Sequence, residues 1–294
     1  MNVLLAIIGV CGVSASGPLM AGANAPALTI AFWRNAMASG LLVPAAAVTR
    51  QAELRGLTRR DVAAIVFAGV MLAGHFATWV TSLKMTSVAS ATALVCLQVG
   101  WIVAFEHLRG TPAARSVIFG LLLAFGGVIV VSGIDLSLSV RALAGDLLAL
   151  IGGAFAALYT MTGAAVRRHV STLTYTTVCY LVCAAILLVL AVVSGQELTG
   201  FGARTWAAFA AVMVAAQLLG HSLFNHLLAV MSPTLVSLTL LLEVPGAALL
   251  AGVFLGQTPG IGVYAGLALI LAGLAVVVTG RPPTKDETPV GPAD

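Results

Sequence analysis

Gly74-His75-Phe76-Ala77-Thr78-Trp79 and Gly220-His221-Ser222-Leu223-Phe224-Asn225 open on the same two residues, 146 positions apart. The same offset lays Ser116 on Gly262, Gly120 on Gly266 and Gly127 on Gly273. The chain therefore reads as two copies of one unit. Long apolar runs fill the intervals, so the unit is a bundle of membrane helices rather than a soluble solenoid module.

Of 294 residues, 60% are hydrophobic and 8% charged, against about 25% charged in soluble domains; the mean hydropathy is +1.09. Such a chain is an integral membrane protein. From Thr205 to Gly280 the only formally charged side chain is Glu243, and at roughly 20 residues per crossing three spans fit there. Lipid admits only helices and closed barrels. The continuous apolar runs lack the dyad alternation of barrel strands, so the fold class is all-α. The net charge of +4, from 14 Lys and Arg against 10 Asp and Glu, is dispersed along the chain; no basic patch for nucleic acid forms. Cys11, Cys96, Cys179 and Cys183 fall within apolar spans, where they act as packing residues and form neither a disulfide frame nor a metal set. Met1-Asn2-Val3 runs straight into apolar sequence without the positive region of a cleaved signal peptide, so the first helix is expected to remain.

Breaks at Pro, Gly and charge clusters predict ten transmembrane helices at about 3–20, 27–48, 62–83, 87–107, 115–133, 145–166, 172–194, 205–228, 233–255 and 260–280. That gives a first five-helix repeat over 1–140, a second over 141–280 and a disordered cytoplasmic tail over 281–294. Lys and Arg in the loops set the orientation. With the N-terminus inside, the cytoplasmic side receives Arg50, Arg55, Arg59, Arg60, Arg109, Arg115, Arg167, Arg168, Arg281 and Lys285, and the other side only Lys84, Arg141 and Arg204. Both termini are then cytoplasmic. Five spans per unit make the second copy enter from the opposite side, the inverted-repeat construction of secondary transporters, whose substrate site lies between the halves.

Polar residues recur on faces of otherwise apolar helices. His75, Thr78, Trp79 and Ser82 stand at i, i+3, i+4 and i+7, and a polar stripe of this kind avoids lipid by facing a cavity or a neighbouring helix. Leu94, Gln98 and Trp101 repeat the pattern in the fourth span, setting an amide beside an indole as a zwitterion with an apolar side chain requires. Tyr159 and Thr162 in the sixth span are of the same sort. Gln217, His221 and Asn225 form a stripe in the eighth, pseudosymmetric with His75 and Trp79. Each stripe serves either a shared substrate site or interhelical bonding. Glu243 lies deep in the ninth span, where a carboxyl must be protonated, paired with a cation or bonded to backbone near the bend expected before Pro245. It is read as a proton-coupling residue or a structural one. Arg34 pairs with it, binds a substrate carboxylate or snorkels to the outer interface. Ser116-x-x-x-Gly120, Gly252-x-x-x-Gly256 and Gly262-x-x-x-Gly266 allow close helix approach, within the bundle or in a homodimer. No phosphate loop, nucleophile with base or metal cluster appears, which argues against an enzyme, an ATP-driven pump and any cofactor.

Three stretches resemble the drug/metabolite transporter superfamily, specifically its EamA branch. The first is Ser16-Gly17-Pro18 with Ala25-Pro26 and Phe32-Trp33-Arg34. The second comprises the small-residue helices from Ser87-Val88-Ala89-Ser90-Ala91-Thr92 and from Ser232-Pro233 through Leu242-Glu243-Val244-Pro245. The third is the Gly-rich end of each half, Gly120 with Gly126-Gly127 and Gly266 with Gly273. Gly256-Gln257 departs from the branch, which often has an acid there, so that position supplies no coupling carboxylate. Within the branch, the length and the polar-aromatic lining are most similar to YddG-type amino-acid exporters. The resemblance implies a ten-helix carrier of a prokaryotic inner membrane that exports small amphipathic metabolites, amino acids foremost, by alternating access with proton or substrate gradients setting direction. Its rivals are a broad drug or nucleotide-sugar carrier and a non-transporting membrane scaffold.

Overall fold

The computed structural model describes residues 2–110, 114–135 and 139–279. Its helices are, in order, α1 (Asn2–Ser14), α2 (Ser16–Gly22), α3 (Ala27–Thr49), α4 (Gln51–Gly56), α5 (Arg59–Ser82), α6 (Val88–Cys96), α7 (Gln98–Leu108), α8 (Arg115–Asp135), α9 (Val140–Val166), α10 (Thr172–Val193), α11 (Ala203–Val212), a π-helical segment (Met213–His221), α12 (Ser222–Leu227), α13 (Pro233–Leu240), α14 (Glu243–Leu255) and α15 (Ile261–Thr279). No strand occurs among the described residues. Among the described residues, 7 rods are long and apolar enough to cross a membrane: Asn2–Gly22, Arg59–Ser82, Val88–Leu108, Val140–Val166, Thr172–Val193, Ala203–Leu227 and Pro233–Leu255. The helix α3, which carries Arg34 and Asn35, is not among them, and α8 and α15 offer the shorter apolar stretches Arg115–Gly127 and Ile261–Val277. The expected tail over 281–294, with Arg281 and Lys285, lies outside the described residues.

Helix starts follow their hydroxyl caps. Ser87, Ser139, Ser171 and Ser232 each accept a backbone N–H in the first turn, and Thr58 forms a capping box with Asp61. Four rods are interrupted where the sequence reading ran them straight through or, at Pro245, expected only a bend. Pro18 has no N–H for the Ser14 carbonyl, and the first rod breaks at Ala15. Pro245 likewise leaves the Leu241 carbonyl to the Val244 N–H (3.1 Å), and the chain turns at Leu241-Leu242. Between α6 and α7 the break is a tight turn at Leu97, whose N–H bonds Leu94 O (3.2 Å) while Gly100 N–H bonds Leu97 O (2.8 Å). No residue there marks it in advance. In the rod Ala203–Leu227 the 9 residues Met213–His221 are π-helical, and Ser222 N–H reaches back five residues to Gln217 O.

The halves interlock by a pseudo-two-fold. The first rod packs on the π-helical rod, and α9, its counterpart, packs on α5, the counterpart of that rod. The helices α3 and α10 pack on each other, and α6 lies along α14 while α7 lies along α13, so the two broken rods run antiparallel and cross near their breaks. The pair α8–α15 shows the symmetry residue by residue. A Cβ at Gly120 would strike the Gly273 carbonyl, and one at Gly127 would strike the Gly266 carbonyl. The 146-residue offset carries Gly120 to Gly266 and Gly127 to Gly273, so it exchanges these two contacts, as a pseudo-two-fold between two copies requires.

Candidate functional site: a cavity between the halves

A cavity of about 50 Å³ sits where the broken rods cross. The first half supplies Val13, Ser16, His75, Trp79, Val95, Cys96 and Gln98, and the second Ala156, Tyr159, Thr160, His221, Phe224, Asn225, Leu228, Val236, Leu240 and Glu243. At roughly 10–15 Å³ per water it has room for a few waters and none for an amino acid.

Its polar wall is built on the repeated Gly-His. The His75 ring stacks on Trp79 at 5.5 Å and 18° and meets the Gly152 carbonyl through Nδ1 (3.0 Å). His221, its counterpart, faces it across the pseudo-two-fold at 6.2 Å and packs on Phe76 (5.3 Å) and Tyr159 (6.4 Å). Gln98 Nε2 donates across the halves to Ser237 Oγ (3.1 Å). Tyr159 donates to Asn225 Oδ1 (2.8 Å), and Asn225 Nδ2 also donates to Tyr180 (3.2 Å). Two polar groups on the wall stay unmet. Trp79 Nε1 and Ser16 Oγ are buried without a hydrogen bond among the described residues, although buried polar groups normally have partners. Among the described residues the Glu243 carboxyl has one hydrogen-bond contact, the Cys96 thiol at 4.0 Å.

Beneath the cavity, on the Arg-rich face, a polar network fixes the loop ends. Arg167 Nε donates to Asn225 O (3.0 Å), Nη2 to Thr172 Oγ1 (2.7 Å) and Nη1 to Val170 O; burial lowers its pKa from the ordinary value. The Glu53 carboxylate accepts from Ser171 N–H (2.6 Å), Ser171 Oγ (2.6 Å) and Thr174 Oγ1 (2.8 Å), capping α10 from the other half. Partial burial pushes the Glu53 pKa up, but these bonds and nearby Arg50 outweigh it, and the net shift is downward.

The structure thus gathers His75, Trp79, Gln98, Tyr159, His221, Asn225 and Glu243 on one wall, and places the other sequence candidates elsewhere. Trp101 is 39% exposed on the outside of the bundle, stacked on Phe105 at 6.0 Å, because the turn at Leu97 rotates α7 relative to α6 and splits the stripe begun by Leu94. The Thr78 hydroxyl turns back to Gly74 O (2.8 Å), and Thr162 lies half-buried outside the lining. Gln217 faces α3, where its Oε1 accepts from Arg34 Nε (2.8 Å) and its Nε2 donates to Asn35 Oδ1 (3.0 Å). Arg34 neither snorkels nor forms an ion pair among the described residues: it is 0% exposed, with its guanidinium 4.1 Å over the Phe76 ring. Sequence reasoning missed Ser16, Cys96 and Thr160. Ser16, a hydroxyl just before a Gly-Pro break, carried a usable signal; the apolar lining of Phe224, Leu228, Val236 and Leu240 carried none.

Comparison with known proteins agrees with this two-copy build. The model of the EamA-like transporter family matches residues 1–133 and 143–279, a segment in each half. A search of curated proteins found no match. Among 29 matching chains of solved structures, one titled "Crystal structure of protein" is 17% identical, with a TM-score of 0.70 over 96% of this chain and 98% of that one, a likeness of fold. The chain belongs to the EamA-like transporter family.

Proposed function

We propose that the chain is a secondary carrier that exports small amphipathic metabolites, foremost amino acids with apolar or aromatic side chains, by alternating access through the central cavity. The observation that carries this reading is the lining. Unmet donors on Trp79 and Ser16 and the scarcely bonded carboxyl of Glu243 share a wall with Phe224, Leu228, Val236 and Leu240. A carboxylate takes the donors, an ammonium takes the carboxyl and an apolar side chain takes the rest. Rocking of the halves would move the exit from one face to the other. In the same reading α3, α8 and α15 join the seven long rods as ten spans, divided at about residue 140. The Arg-rich face is then the cytoplasmic side of a prokaryotic inner membrane, protons are a coupling ion and homodimerisation is open to the lipid-facing surface.

Counterflow of labelled amino acids in proteoliposomes tests it. Leucine and phenylalanine should exchange faster than charged amino acids; no flux of any amino acid would refute the substrate class. Glu243 on the wall favours one second reading, a carrier of cationic amphiphiles. An organic cation in the same panel that outcompetes every amino acid would establish that alternative.

A further inference from the structure

A second concavity, of about 500 Å³, opens on the face of Lys84, Arg141 and Arg204, and both halves build it: Ala23, Asn24, Pro26 and Lys84 against Glu197 and the loop to Thr205. It continues the same helices that line the central cavity. On the first rod Ser16 lies in the cavity and Ala23, just past the rod's end, in the upper concavity, with Met20 (0% exposed) between them; α5 places Trp79 below, and Lys84, two residues past its end, lies above, with Val80 and Leu83 closing the interval. Its walls are tied in place. Leu28 N–H donates to Gln196 Oε1 (3.0 Å), Thr29 Oγ1 to Glu197 O (2.7 Å) and Trp33 Nε1 to Leu198 O (2.8 Å), fixing the second half's loop on the first half. The Lys84 ammonium is held by Ala21 O (3.1 Å) and Ala23 O (2.7 Å), leaving one donor. Arg141 Nη2, bonded to Lys84 O (2.9 Å), adds a second cation at the rim. The Glu197 side chain is exposed, and the only ion pair among the described residues is His169 with Asp61. A fixed cation and a separate acid therefore line one polar concavity above the cavity, divided from it by an apolar plug.

We propose that this concavity is an outer vestibule that binds a zwitterionic α-amino acid, its carboxylate at Lys84 and its ammonium at Glu197, before or after passage through the central cavity. The assignment rests on the amino-acid reading above. Binding here is read without transport. Lys84 and Lys285 are the chain's two lysines, so in detergent, where both faces are accessible, an amine-reactive reagent followed by mass spectrometry reports on Lys84 with Lys285 as internal standard. Leucine should lower Lys84 labelling relative to Lys285, a ratio that corrects for reagent consumed by the ligand's own amine, whereas 4-methylvalerate or isoamylamine, each lacking one charge, should lower it much less. Glu197→Gln, which keeps the backbone bonds of the loop, should require about tenfold more leucine for the same protection. In proteoliposomes it should raise the half-saturation for leucine from the Lys84 face alone, with the maximal rate unchanged. Leucine failing to protect Lys84, either analogue protecting equally well, or Glu197→Gln leaving protection unchanged would each overturn the vestibule. Absence of flux with protection intact would instead remove the transport reading and leave the binding site.

Discussion

Arg34 is a buried cation whose hydrogen-bonding and ring partners among the described residues are neutral, Gln217 Oε1, Met20 Sδ (3.5 Å) and the Phe76 face, with Glu243 acting on it only through its charge. Taking an Arg into the bilayer costs on the order of 2.5–3.5 kcal/mol on translocon scales, and bonds to a charged group return about 1.5–3 kcal/mol each. Removing the Gln217 amide leaves that charge and Asn35 short of partners, so Gln217→Ala should destabilise the protein by about 2–3 kcal/mol in thermal or denaturant unfolding in detergent; a loss below about 1 kcal/mol would show the bond to be incidental. The sequence marked both residues, but assigned Gln217 to the substrate, because a partner 183 positions away is invisible to helical spacing. Trp101 fails for the opposite reason, a local one: its spacing was right and the turn at Leu97 rotated it away. Trp101→Ala should therefore leave flux within about twofold of the parent, and a larger loss with normal folding would return it to the site. Glu243 feels the charge of Arg34 without forming an ion pair with it, and among the described residues its carboxyl has no backbone bond, only a long contact to Cys96. Glu243→Gln should abolish gradient-driven accumulation while exchange persists, and unchanged accumulation would show that its proton plays no part.

At the scale of the element, apolar runs, caps and repeat offsets are legible, and breaks are legible only where proline makes them. Pro18 and Pro245 each remove a donor and interrupt a rod. The turn at Leu97 and the π-helical segment arise from packing, which no local residue announces; the Cβ of any residue other than glycine at 153 would press on the Val95 carbonyl (2.9 Å), so α9 approaches the broken rod at this point. The short α4 also escaped the reading, yet its Glu53 fastens the linker after α3 to the start of α10. Because the folded-state pKa of Glu53 lies below its ordinary 4.5, its contribution is present above that value and lost as pH falls through the lowered folded pKa. Thermal stability in detergent should thus drop on acidification below about pH 4.5 less steeply in Glu53→Gln than in the parent. Parallel curves would show that the clasp adds nothing.

At the scale of the whole molecule, the 146-residue offset predicts which contacts must come in exchanged pairs, and Gly120·Gly273 with Gly127·Gly266 is such a pair. Glycine-to-backbone contact leaves these helices no slack, so α8 and α15 suit a frame, and none of their described side chains lines the central cavity. The lining comes instead from the interrupted rods together with α5 and α9. Under the proposed alternating access, movement that opens the cavity would concentrate where the broken rods cross, at Gln98 with Ser237 and at Cys96, whose Sγ lies 3.7 Å from Leu240 O. A covalent tie there should stop the cycle. With Cys11, Cys179 and Cys183 replaced by Ala, Leu240→Cys supplies a thiol to the native Cys96 of the opposite half; oxidation should block counterflow and reduction restore it. The same background without Leu240→Cys should be indifferent to oxidant. Full counterflow with the disulfide verified by mass spectrometry would mean that the crossing stays closed throughout transport, and that the halves part along another seam.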